Sequence, residues 1–555
     1  MPPPPPSRPH AAPAWLRPLI LALTTILFLT WFTGEVADTD IWLHLMTGRH
    51  TLETRALTVP DPFSYNGNLN SPAYPNESKT RYFNLTHEWL AQILMHLIYT
   101  ASGFPGLVLL RAALLVAFCW LAGLMVWWRT GGGFYRSLAA AIASAAVAVN
   151  FQQSRPFLVT FLLLAVTMAV LERRRYLWAL VPIFLLWANC HGGYFMGWVL
   201  LGAYCGEALL QRLRKQPVPG ERELWIVSFA CIAVSAINPN GLRAVQIVLA
   251  YRGSLIQTSN LEWHRPAFWE PSGYSLILFG SLALMLYSWR KTRPVDWILY
   301  PVFAFASLMA VRNTILLGLV GAVLFGAYLP TFKRALPVLA EWAVSLALSS
   351  AIAFGFSTGN AFQLRAAEWM LPVAAADFLQ AHHVTARMFN IYENGGYLVW
   401  RLWPAERDFI DPRGLSEEAF VDYSRILYYA NSTGGKSADE LLAKYAIQVL
   451  VLDAFDRYSG RVRTLAAALS DPHQSGWKLV QADNRSLVFM RSPPPGVQPL
   501  NNLQALASIE SACQLQVEHT PNRPACARGI ADVYMQIGQT ARARQWMAFY
   551  EFRTR

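Results

Sequence analysis

Two aspartates, Asp38 and Asp40, stand one residue apart in GEVADTDIWLHLMTGRH (34–50), next to Trp42 and His44 and directly after a long apolar run. Carboxylates at such a place can serve as a general base or, with a partner, hold a divalent cation. A D-x-D equally ends a helix and solvates a loop. In an extended segment the two side chains point the same way, and Trp42 with them; on a helix they diverge by about 200°. Further along, HEWL (87–90) supplies His87 and Glu88 at the head of an apolar helix. Glu88 there complements the helix dipole, with Thr86 as N-cap, or both side chains join a site. Four arginines recur in comparable settings: Arg155 in QQSRP, Arg243 in INPNGLR after Asn238, Arg265 in LEWHRP, and Arg312 before Asn313. A guanidinium can snorkel to an interface, or its forked donors can hold a phosphate. Asn189 and His191, before Gly192 and Gly193, mark a close backbone approach and a candidate acid, base or ligand. Glu262 and His264 lie among Trp263, Phe268 and Trp269, aromatic faces that suit a sugar or an interfacial helix.

The elements that must position these residues are mostly apolar. Of 555 residues 54% are hydrophobic and only 14% charged, with mean hydropathy +0.27; soluble domains carry about 25% charge. Apolar runs of helix length recur from Leu16 to about Phe356, the pattern of a polytopic membrane protein. The formal charge of +12 sits largely in short loops between those runs, which argues for membrane orientation and against a nucleic-acid stripe. Six cysteines show no metal spacing; Cys513 and Cys526 could pair if the tail is extracytoplasmic.

The expected fold is a polytopic all-α membrane domain of about eleven spans. These lie near 16–34, 105–127, 135–151, 157–171, 176–190, 193–210, 224–237, 273–289, 295–311, 314–330 and 336–356. With the N-terminus cytoplasmic, the basic loops at Arg129/Arg136, Arg173–Arg175, Arg212–Arg222, Arg290–Arg293 and Lys333/Arg334 all fall inside. This requires residues 87–104 to form an interfacial or re-entrant helix within a first outer loop of 35–104. The unusual polar residues then share the outer face, where they line a cavity rather than meet lipid. Residues 1–15 read as a disordered Pro-rich start, and 357–492 as an extracytoplasmic α/β domain. In that domain DFID (408–411) is expected as a strand, 440–453 as helix then strand, and 476–492 as a hairpin. A linker and a tetratricopeptide-like helical tail fill 493–555.

The set DTDIWLH, DPFS (61–64), HEWL, NCHGG (189–193), NPNG (238–241), NIYENGGYLVW (390–400) and FIDPR (409–413) resembles a bacterial group of GT-C class membrane glycosyltransferases. The likeness covers about residues 15–492 and is specific as a set. GGYLVW is more distantly similar to the WWDYG region of oligosaccharyltransferase catalytic subunits, with Tyr392 and Glu393 where that motif has aromatic and acidic residues. The resemblance implies a transferase of the cell inner membrane that takes a sugar from a polyprenyl-phosphate carrier. It further implies that Asp38 or Asp40 is the base, with Mg2+ or Mn2+ at that pair in those relatives that use a metal.

Chemistry argues the same way. Outside the cytoplasm no nucleotide sugar is supplied, so an activated donor must be lipid-linked. Its transfer needs a base for the acceptor hydroxyl and cations for the leaving phosphate. Asp40 is the favoured base because Trp42 shares its side in an extended loop. A polysaccharide polymerase or ligase using a lipid-linked glycan is the nearest alternative. A transporter or flippase would need mid-span polar groups and paired broken helices, of which the sequence shows few. A scaffold presenting the tail would leave the aspartates without a task.

Overall fold

The computed structural model describes residues 13–69, 74, 76–251, 254–330, 338–456, 459–461, 463–469 and 476–554. Residues 1–12 of the Pro-rich start and the basic pair Lys333/Arg334 lie outside the described residues. The chain divides into two compact units. One comprises residues 1–36, 87–249 and 257–366; the other comprises 37–86, 250–256 and 367–555.

The first unit is helical. Each of the eleven expected spans coincides with a helix, from Leu16–Phe32 through Val338–Ser357. Four are long and apolar enough to cross a bilayer, within 77–130, Gly192–Leu213, Val311–Tyr328 and Val338–Ser357. Among the described residues, length and composition alone support these four crossings where about eleven were expected, because helices such as Phe134–Ala148 and Gly273–Tyr287 stop at 15 residues. The helix Trp89–Thr130 breaks at Gly103, whose φ of 62° is followed by Pro105. Proline removes a backbone donor and clashes with the preceding turn, so 89–102 forms a limb distinct from the apolar stretch beyond it.

Small residues let these helices approach closely, the packing that works where neighbours are as apolar as lipid. A Cβ on Gly326 would lie 2.8 Å from the Cβ of Ala140, and one on Gly273 would lie 2.5 Å from the carbonyl oxygen of Ala146. The helix Thr314–Tyr328 is buried on nearly every face as a result. Charges inside the unit are paired. Near the C-terminal end of Trp89–Thr130, Arg129 donates to Glu172 (Nε–Oε2 3.0 Å) and to both oxygens of Asp296 (3.0 Å). Arg293 adds a 2.7 Å bond to Glu172.

The second unit holds a four-stranded sheet, order β1-β2-β4-β3. Its strands are β1 (Met388–Asn390), β2 (Val449–Asp453), β3 (Lys478–Ala482) and β4 (Ser486–Met490). β1 and β2 run parallel, and the expected hairpin forms β3 and β4. The expected strand at 408–411 is corrected: Asp408 makes a single bridge to Ser64, and the segment leaves the sheet for a turn at Asp411–Gly414. Three tail helices follow, Asn502–His519, Ala525–Gln536 and Thr540–Thr554, with Cys513 bonded to Cys526.

An ionic junction ties residues of DPFS to FIDPR. Arg413 donates to both oxygens of Asp61 (2.7 and 3.1 Å) and to both of Asp411 (2.6 and 2.9 Å). Both carboxylates are buried, and the Arg413 side chain is 10% exposed. Burial alone would raise the Asp411 carboxyl; the charge and hydrogen bonds of Arg413 outweigh it and hold the group below the usual carboxylate range. Asp408, also buried, goes the other way: desolvation and then the Asp411 charge push it well above that range. The signs differ. The Asp411 contribution is present above the ordinary carboxylate pKa and lost as acid protonates it in the fold. The Asp408 contribution is complete below that pKa and is lost as rising pH ionises the buried acid. Arg413→Met should therefore destabilise the chain by about 3–5 kcal/mol, since two buried carboxylates lose their counter-charge. Asp408→Asn should keep its stability at alkaline pH better than wild type. Thermal unfolding in detergent across pH checks both; wild-type stability in Arg413→Met would remove the junction from this account.

Candidate functional site

Asp38 and Asp40 lie where the helix Ile41–Thr54 begins. Asp40 is its N-cap residue with helical backbone angles (φ −70°, ψ −20°), and the backbone N–H of Asp40 donates to the Asp38 carboxylate at 3.3 Å. Of the two geometries open in the sequence, the extended D-x-D does not occur: a side-chain-to-backbone turn leads into the helix, as aspartates before helices favour. Thus the shared side with Trp42 does not decide between the two carboxylates. His44 is one turn on, its N–H bonded to the Asp40 carbonyl at 3.1 Å.

NIYENGGYLVW seats that helix. The chain leaves β1 and forms the helix Gly395–Leu402. Gly395 faces the junction: a Cβ there would sit 2.3 Å from the Ile410 carbonyl oxygen. Gly396 faces the other way, where a Cβ would sit 2.7 Å from Cγ of Leu43. Trp42 is buried against Tyr397 and Trp400, with ring centroids 5.1 and 5.9 Å away. Asn390 closes the back, accepting from the Phe409 N–H (2.8 Å) and donating to the Ile410 carbonyl (2.9 Å). Burial first, and then the charge of Asp40, raise the Tyr392 phenol well above its usual pKa, so Asp40 and Tyr392 share one electrostatic neighbourhood. Glu393 adds to it as a smaller influence.

In the helical unit a second cluster forms. Glu88 Oε1 lies 3.3 Å from His87 Nε2 and 3.7 Å from His191 Nε2. These are the one group of three among the described residues whose ligand atoms, all within 4.8 Å of one another, could hold a metal ion; Asp38 and Asp40 are not part of it. Thr86 is not the expected N-cap: its hydroxyl donates back to Tyr82, and Glu88 occupies the cap position. Asn189 is consumed in structure, accepting from the Trp89 indole (3.0 Å) and donating to the carbonyls of Leu185 (2.9 Å) and Ile237 (2.7 Å). Asn238 builds its own turn, bonded to Ser235, Gly241 and Asn240. Asn313 donates to the Ala306 carbonyl (3.0 Å), closing a helix end.

The remaining candidates divide. Arg155 pairs with Glu262 at 3.4 Å, and Arg312 stacks over Trp263 at 4.5 Å. The carbonyl of Thr258 lies 2.9 Å from His264 Nε2, which fixes that nitrogen as a donor, while the His264 carbonyl receives the Val311 N–H. Arg243 and Arg265 are exposed and take no part in these pairs. Sequence reasoning missed Arg111, which is buried and donates to the carbonyls of Phe32 (3.1 Å), Gln152 (2.6 Å) and Gly34. It satisfies the backbone where the chain leaves its first helix. An arginine in mid-run among leucines was the available signal.

Gly396→Ala should destabilise the chain by about 1–3 kcal/mol, the cost of forcing a methyl group into a packed contact. Thermal unfolding reads it; an unchanged transition would mean that the Ile41–Thr54 helix does not rest on this glycine.

No family model and no curated protein sequence matches this chain. Solved structures do. An Archaeoglobus fulgidus oligosaccharyltransferase tethered to an acceptor peptide containing the NVT sequon aligns with TM-score 0.52 at 12% identity, over 86% of this chain and 74% of that one. Archaeal oligosaccharyltransferase AglB from Archaeoglobus fulgidus, in complex with an inhibitory peptide and a dolichol-phosphate, aligns with TM-score 0.51 at 11% identity, over 87% and 75%. At such identity the likeness speaks for the fold alone: this chain shares the fold of these archaeal oligosaccharyltransferase structures.

Proposed function

We propose that this chain transfers a sugar from a polyprenyl-phosphate-linked donor to an extracytoplasmic acceptor. The observation that carries the reading is the GT-C fold over 86% of the chain. Asp40, with Asp38 as the alternative, removes the proton from an acceptor hydroxyl as its oxygen attacks the anomeric carbon. The bond from that carbon to the phosphate oxygen breaks, and polyprenyl phosphate leaves with the electron pair. Arg155, Arg243, Arg265 and Arg312, all in the helical unit, are the candidate cations for binding the phosphate of the donor. A divalent ion, Mg2+ or Mn2+, would suit the all-oxygen donors of Asp38 and Asp40 and offset phosphate charge when bound there.

The chain sits in the cell inner membrane with its N-terminus cytoplasmic and its sheet domain outside. The five short-loop clusters of arginine and lysine in the sequence support that orientation. So does the pairing of Cys513 with Cys526 while Cys119, Cys190, Cys205 and Cys231 remain free and buried in the helical unit. Helices of 14 to 17 residues, such as Glu221–Val234 and Leu16–Phe32, would complete the crossings with their ends packed in protein.

Asp38→Asn and Asp40→Asn, each purified and reconstituted with polyprenyl-phosphate-linked sugars, test the assignment. The variant that removes the base should lose transfer by about 100-fold or more while folding normally. Full turnover in both variants would exclude this pair from the chemistry. The labelled product separates acceptor classes, and a ladder of lengths on a gel would favour the polymerase reading.

A further inference from the structure

The run ERRR (172–175) closes the helix Phe157–Arg173 and takes no part in the transfer proposed above. Beside it, within the helical unit, lies a cavity of about 570 Å3. Arg173, Arg174 and Arg293 line it, with Glu207 and Gln211 from the helix Phe195–Leu213. Glu207 is buried, and its Oε2 holds two of the arginines: Arg174 donates to it at 3.2 Å, and Arg293 Nη2 lies 3.7 Å away. Arg174 reaches it from a left-handed backbone (φ 47°), a helix end that usually goes to glycine. Its Nη1 faces the Pro219 carbonyl at 3.5 Å, the outer edge of hydrogen bonding.

The lining carries more positive charge than its own carboxylates absorb. Arg173 lies over the Trp128 ring at 5.1 Å and donates to no acceptor among the described residues. Arg293 shares its second carboxylate, Glu172, with Arg129. In the cavity wall three guanidiniums face one carboxylate; counted inward to Asp296, four face three. A ligand ammonium would meet that surplus and a single carboxylate already engaged. Guanidinium forks with donors to spare suit a phosphate group, which accepts two of them at once.

We propose that this cavity binds the phosphate of an anionic membrane lipid. A soluble phosphate would match the charge but not the position. The wall is built where apolar helices end: Phe157–Arg173 and Phe195–Leu213 in their last turns, and Pro294–Met309 at its first residue. The stretch Gly192–Leu213 is long and apolar enough to cross a bilayer, which puts its basic end at headgroup depth. Leu209, Leu210 and Leu213, around Gln211 on that end, are exposed and offer acyl chains an apolar surface. Basic pockets between membrane helices take anionic headgroups on the same physical grounds. The assignment uses the membrane placement of the helical unit and none of the chemistry of Asp38 or Asp40.

The test is native mass spectrometry of the full chain, released from nanodiscs holding equal amounts of phosphatidylglycerol and phosphatidylcholine. Phosphatidylglycerol should be retained in preference by about tenfold, because the choline ammonium opposes the arginines. Arg173→Ser should unfold at the wild-type temperature and lower that preference by about threefold or more. Adding Arg174→Gln should abolish it. Arg290→Ser, at an exposed arginine outside the cavity wall, should leave it unchanged. Excess inorganic phosphate should displace no lipid. Equal retention of the two lipids, full preference in Arg173→Ser, an equal loss in Arg290→Ser, or displacement by inorganic phosphate would overturn the proposal.

Discussion

A guanidinium removed from water between two buried carboxylates is the constraint on which the sheet-bearing unit depends. Arg413 joins Asp61 to Asp411 across 350 residues of chain. Such a group is tolerated only with its geometry satisfied, because each ion forfeits several kcal/mol of hydration. The junction fixes FIDPR against DPFS. With it fixed, only glycine at 395 clears the Ile410 carbonyl, and the short helix that follows presents Gly396, Tyr397 and Trp400 to the helix headed by Asp40. One ion cluster thus sets where a candidate base stands, without touching it.

The helical unit solves a different problem. Helix ends near an apolar medium expose carbonyls and N–H groups that must find partners inside the protein. Arg111, Asn189, Asn238 and Asn313 are consumed by that need, each bonded to backbone. What they leave is the chemistry-bearing remainder: Glu88 between two imidazoles, Arg155 on Glu262, and Arg312 over Trp263.

Much of this was legible in the sequence. Apolar runs located the helices at the eleven expected spans within a few residues but not the short helix Ala244–Ala250, and alternation around Asp483–Asn484 located the hairpin. The motifs fall at helix ends and turns, where several of their polar residues bond the backbone. NCHGG and NPNG read as candidate sites, yet their asparagines are turn and helix ties, since a polar side chain among apolar neighbours serves backbone as readily as substrate. The turn at Asp38–Asp40 was hidden because D-x-D is compatible with extended and helix-start geometry alike. The Asp408 segment reads as a strand by composition but bends to deliver Asp411 to Arg413, a partner that no local pattern reveals. Thr160, whose hydroxyl lies 2.8 Å from His191 Nδ1, sits in an ordinary apolar helix and carries no sequence signal.

The most direct measurement is mass spectrometry of envelope glycans and polyprenyl-linked lipids from cells with and without the gene. The account predicts that a defined surface sugar disappears while its polyprenyl-phosphate-linked precursor accumulates, and that a wild-type copy reverses both. Unaltered glycans and an unaltered lipid-linked pool would contradict it.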